Sequence, residues 1–481
     1  MSNLNATRQS PLQRARRGRS EDKSARPRKP QEKSSGASDR RCPLPETDLT
    51  YVSATTLARM IREREVSSEE VVDAHLRRIA AVNPRLNALI APAAERALAD
   101  ARAADAALTH GEPVGPLHGV PFTVKDWIDA AGLPCTGGDV RYRDRIPKAD
   151  ATVVARMRRA GAILLGKTNV TVENEVYGRT NNPYNLAYSP CGSSSGEAAL
   201  IAAGGSPLGL GSDSGGSIRQ PAHACGIAGL KPTTGRIPLT GHFPFISAVN
   251  DPRTTIGPLA RYVEDLALAL PILSGPDWRD ASVIPIPLED WRAVDLSALR
   301  VAFYTHHAGA EPTSETAETC RRAAGALTDV CARVVEAVPP RVEETYGITR
   351  AYWQRPESQS PDAWVPDGEA KLESEAVEAH LFAWDRLRRA LIAFMANHDV
   401  IVTPAAERPA VPHGEDEGGI PYTLTYSLTG YPCVVVRCGT SPEGLPIGVQ
   451  VVARPWRDDV ALAVAQHLER TFGGWQPPPL G

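Results

Sequence analysis

Gly211 to Ala222 reads GSDSGGSIRQPA, three glycines and three serines gathered around one aspartate, with an arginine close behind. Glycine carries no Cβ penalty, so a backbone this rich in it can turn sharply and approach a ligand. The preceding PLGL, Pro207 to Leu210, is apolar, which predicts a buried strand running straight into the turn. Three hydroxyls in such a turn point to a nucleophile. A serine needs a base, however, and no neighbouring histidine nominates itself.

Working outward, helix-like and strand-like segments alternate. Ser53 is a candidate N-cap for TTLARMIRER, and Ser67 with Glu70 has capping-box spacing before VVDAHLRRIAAV; the whole of Ser53 to about His110 has a helical pattern. PFTVK in Pro121–Asp129 is β-branched and apolar, a buried strand leading into a loop. ATVVARMRRAG then AILLGKTN predicts a helix and a strand, and EAALIAAG a short helix. DVIVTP predicts a strand, YPCVVVRCGTSPEGLPIGVQVVARP two strands around a turn, and RDDVALAVAQHLERTF a closing amphipathic helix. Helices alternating with buried strands indicate an α/β fold with helices on both faces of a sheet.

The chain has 481 residues, a formal charge of -3 and 42% apolar residues, a core-forming composition. Residues 1–45 differ, with twelve Lys/Arg, four Asp/Glu and few large apolar side chains. Such a segment buries too little surface to offset its ordering entropy, so disorder is expected there, and 46–481 is expected to be one catalytic domain. The arginine pairs Arg16-Arg17 and Arg40-Arg41 precede no apolar stretch, and no run approaches the roughly 18 apolar residues of a membrane span. Eight cysteines without CxxC spacing indicate neither a zinc site nor a disulfide framework, so a reduced, cytoplasmic protein is expected.

Two motif matches mislead. GAILLGKT, Gly161 to Thr168, satisfies the phosphate-loop pattern, but its central residues are a strand rather than an amide-lined turn. GSSSG, Gly192 to Gly196, satisfies the nucleophile-elbow pattern, yet TNNPYNLAYSPC before it is a loop and not a strand. Its serines precede a helix, where capping accounts for any single one of them. Glycines on both sides exceed what a cap needs.

Lys125 is more informative. Beyond the tail there are only five lysines, Lys125, Lys148, Lys167, Lys231 and Lys371, and Lys125 lies in the apolar GVPFTVKDWID. Either it pairs structurally with Asp126 or it serves as a base, since a buried lysine can be driven neutral where arginine cannot. Lowering its pKa from ~10.4 to ~8 costs about 3 kcal/mol. A neutral lysine can deprotonate serine without any histidine. Lys167 shares the structural reading.

GVPFTVKD, SPCGSSSGEAALIAAG and GSDSGGSIRQPAHACGIAGLKPT together resemble the three signature stretches of the amidase signature family. GPLAR, DVIVTP, SLTGYPCVVV and GLPIGVQVV resemble its C-terminal half, so the likeness covers nearly everything after residue 50. It implies an α/β fold with a large mixed twisted β-sheet covered by helices on both faces. It implies Ser217 as nucleophile, Ser193 as the bridging serine behind a cis peptide bond, and Lys125 as base. Amides of Ser214, Gly215, Gly216 and Ser217 would form the oxyanion hole, braced by Asp213 and Arg219. The implied reaction is hydrolysis of a carboxamide C–N bond through an acyl-enzyme.

Cys191 and Ser195 stand where the family usually has glycines, Ser214 replaces a common threonine, and the stretch after Asn169 is shorter than in many relatives. No cofactor and no metal are expected, and the partner is a small-molecule amide, with neither nucleic acid nor membrane; a homodimer is left open. The rival reading resembles the A subunit of tRNA-dependent amidotransferases, a glutaminase that passes ammonia to partner subunits. A degenerate binding protein is disfavoured because all three triad positions are filled. Residues 340–420 are expected to shape substrate choice.

Overall fold

The computed structural model describes residues 48–246, 251–353, 373–417 and 420–480, so the disorder expected for residues 1–45 lies outside the described residues. Among the described residues eleven strands form one sheet: β1 (Leu89–Pro92), β2 (Pro121–Lys125), β3 (Ile163–Thr168), β4 (Leu208–Asp213), β5 (Ala228–Lys231), β6 (Thr255–Ala260), β7 (Arg300–Phe303), β8 (Arg333–Glu336), β9 (Val400–Pro404), β10 (Cys433–Thr440) and β11 (Pro446–Ala453). Their order is β1-β3-β2-β4-β6-β5-β10-β11-β9-β7-β8. The sheet is mixed: β3, β2 and β4 run parallel, as do β9, β7 and β8, while the pairs between those two groups are antiparallel.

Alternation along the strands sends side chains into two cores. On β3, Leu164 faces one core while Ile163 and Leu165 face the other; β10 divides Val434 and Val436 from Val435 in the same way. The first core is filled from Ala54–Arg62, Thr152–Arg159, Val263–Leu273 and Asp458–Phe472, the second from Ser68–Leu86, Ala94–Thr109 and Ser195–Ala202. Helices therefore cover both faces, the α/β architecture expected. Both predicted caps form, Ser67 and Glu70 as a full capping box. Strand β1 interrupts the pattern expected to be helical to His110, because LIAP pairs antiparallel with the distant β3. No helix among the described residues is long and apolar enough to cross a membrane.

Candidate active site

The parallel trio β3-β2-β4 builds the site, because parallel strands bring their carboxyl ends to one edge of a sheet, where α/β folds bind ligands. Lys125 is the last residue of β2, opposite Thr168 at the end of β3. The loop after β3 holds the serine cluster: Thr171 N–H donates to the Ser193 carbonyl (2.9 Å), Gly196 N–H to that of Asn169 (3.2 Å), and Ser195 Oγ to that of Thr171. The turn after β4 carries Ser217, whose carbonyl accepts the Ser194 N–H at 3.2 Å. Three separated stretches thus meet. The Gly192–Ser193 peptide is cis.

Lys125 is fully buried, and among the described residues the ion pair of Asp126 is with Lys167 rather than with Lys125. Its Nζ lies 2.7 Å from Ser193 Oγ, 3.2 Å from Ser212 Oγ and 3.3 Å from the Ser212 carbonyl. Burial pushes its pKa well below the usual lysine range, against the opposing pull of Asp213 and Glu197. Neither carboxyl offers a full counter-charge. Asp213 is already committed to Arg219, and burial raises Glu197 to about 7, where its oxygens accept from Thr123 and Thr168 hydroxyls. Asp126 instead faces Lys167, with Nζ 3.8 Å from Oδ1, so the structural reading belongs to Lys167.

Within Gly211–Ala222 only Ser214, Gly215 and Ser217 are partly exposed; the rest is buried. The N–H groups of these three make no hydrogen bond among the described residues, whereas Gly216 N–H donates to Asp213 Oδ1 at 2.8 Å. Gly216 thus departs from the expected donor set: its amide braces the turn. Its φ is +138°, and a Cβ at this position would lie 2.6 Å from Thr423 Oγ1, so glycine is necessary there. The capping expectation for the GSSSG serines also fails. Ser194 occupies the cap position without a capping bond, and its Oγ reaches the Ser212 carbonyl at 3.4 Å. Cys191, in place of a glycine, takes a φ of +57°, the region that favours glycine.

Two neighbours of Lys125 were not anticipated from the sequence. Ser212, last but one in β4, contacts Nζ twice, and its hydroxyl lies 3.1 Å from His242 Nε2. His118 and His223 bond backbone groups elsewhere. The only local signal was the first serine of the opening stretch, Ser212 itself; nothing near TGHFPF marks His242.

A family model described as Amidase matches residues 70–355 and 352–462. The chain is 34% identical to the A subunit of the glutamyl-tRNA(Gln) amidotransferase of Salinispora arenicola, over 90% of this chain and 100% of that one. It is 32% identical to an acylamidase of Rhodococcus erythropolis, over 89% and 96%. A solved structure of 6-aminohexanoate cyclic dimer hydrolase with its substrate superposes with a TM-score of 0.78 at 28% identity, covering 90% of this chain and all of that one.

Proposed function

The chain belongs to the amidase signature family and is a hydrolase of amide C–N bonds, and from that premise we propose that it works through an acyl-enzyme on Ser217. Neutral Lys125 takes the proton of Ser193 as Ser193 takes that of Ser217. Ser217 Oγ attacks the carbonyl carbon, and the N–H groups of Ser214, Gly215 and Ser217 receive the charge that develops on its oxygen. The relay run in reverse protonates the leaving nitrogen, and water activated the same way releases the acid. The observation that carries this reading is the buried Lys125 amine 2.7 Å from Ser193 Oγ, in surroundings that favour its neutral form. Seven described cysteines, all free, support a reduced, cytoplasmic setting.

Intact mass and peptide mapping after treatment with a fluorophosphonate test the assignment. Ser217 takes the label, Ser217→Ala abolishes it, and Lys125→Ala slows it. A label on Ser194 would restore the nucleophile-elbow reading.

The 34% identity to an amidotransferase component favours a second reading, glutaminase activity within a complex. Co-purification of partner subunits together with glutaminase activity would decide for it.

A further inference from the structure

A neutral amine has two N–H donors and one lone pair, and Lys125 Nζ has three hydrogen-bond partners, with the Trp127 ring centroid 4.2 Å away as a weaker contact. Which partner faces the lone pair decides whether Lys125 can act as a base. The Ser212 carbonyl can only accept, so it takes one N–H. The Ser212 hydroxyl can donate or accept, and His242 fixes which. His242 Nδ1 lies 3.1 Å from the Pro244 carbonyl, again an acceptor only, so Nδ1 carries the ring proton. In the neutral ring Nε2 is then a lone pair, and the Ser212 O–H, 3.1 Å away, must donate to it. Ser212 Oγ is left to accept the second N–H of Lys125. The remaining position on the nitrogen faces Ser193 at the shortest of the three distances, 2.7 Å.

We infer that Ser212 and His242 form a directional hydrogen-bond chain that aims the Lys125 lone pair at Ser193, which makes both of them positioning residues; the inference rests on Lys125 acting as the base. The fold builds the chain from separated segments. Phe243 N–H donates to the Trp127 carbonyl (2.8 Å) and Asp129 N–H to that of Gly241 (2.9 Å), seating His242 beside the residues that follow Lys125. The charges of Asp213 and Glu197 act on Lys125, and those of Asp251, Asp129 and Lys125 itself act on His242. Burial, with the Lys125 charge acting the same way, outweighs the Pro244 hydrogen bond and the two aspartates and holds His242 down to about 4, so the ring stays neutral while lysine titrates. Without an acceptor at Nε2, the Ser212 hydroxyl is free to turn onto the lone pair and compete with Ser193.

The second-order rate of fluorophosphonate labelling of Ser217 reads this directly, in wild type, His242→Leu, His242→Gln, Ser212→Ala and the Ser212→Ala/His242→Leu double variant. Leucine removes the acceptor and slows labelling about tenfold or more, whereas glutamine, which keeps an acceptor, stays within about threefold of wild type. The double variant labels no more slowly than Ser212→Ala, because both changes break one chain. Wild-type labelling in His242→Leu, equal loss in the glutamine variant, or additive losses would overturn the inference. Should the leucine variant fail to fold by circular dichroism, Ser212→Ala carries the same test, and its labelling at the wild-type rate overturns the chain. A wild type that takes no label, or a Lys125→Ala variant labelled at full rate, instead ends the reading of Lys125 as base, and this inference with it.

Discussion

Arg219 folds back on Asp213 in a bidentate pair, Nε 2.9 Å from Oδ2 and Nη2 2.8 Å from Oδ1, both side chains fully buried. The other guanidinium protons reach the Thr423 carbonyl, Gln450 Oε1 and Ser427 Oγ, so all five donors are used. Burial works against the Asp213 charge, but Arg219 outweighs it and holds the carboxyl at about 2. Lysine keeps the charge and lacks the fork. Arg219→Lys is expected to lose on the order of 3 kcal/mol of stability by denaturant unfolding, with slower Ser217 labelling. Unchanged stability would mean that the pair does not brace the turn.

Gly216→Ala tests the turn from inside. The added methyl meets Thr423 Oγ1 and Gln220 at a φ that L-residues rarely adopt. Labelling is expected to fall at least about tenfold even though this amide lies outside the proposed donor set. Wild-type labelling would show that the turn tolerates the shift.

The sequence and the structure agree where local pattern carries the information. Lys125 stands out as a rare lysine between apolar flanks, and Ser217 by its glycine turn. Ser212 and His242 are illegible as a pair because they lie 30 residues apart and meet only through the return of Gly241–Pro244 to Trp127–Asp129. The Gly216 amide departs from expectation for the same reason: sequence shows that a turn has donors, not which of them Asp213 takes. LIAP, helical by local pattern, becomes β1 through pairing with β3. The expected specificity region, 340–420, is described only in part, since 354–372 and 418–419 lie outside the described residues.

Glu197 gives a stability prediction with a definite sign. Burial raises its folded pKa to about 7 from 4.5, so the folded state holds a proton that the unfolded state releases. Its contribution is therefore greatest below pH 4.5 and declines as pH rises toward 7, by about 3 kcal/mol in all. Glu197→Gln cannot titrate. Denaturant midpoints between pH 5 and 7 should fall less steeply in the variant than in wild type; identical slopes would assign the loss to other groups.

The central claim is that neutral Lys125 is the base, and the pH dependence of Ser217 labelling by a fluorophosphonate in wild type and Lys125→Arg tests it most directly. In wild type the rate should rise with pH and level off above the depressed lysine pKa, on a limb that His242→Gln leaves in place. Lys125→Arg, confirmed folded by circular dichroism, should stay slow at every pH, because arginine keeps its proton. Near wild-type labelling by Lys125→Arg at neutral pH would contradict the account.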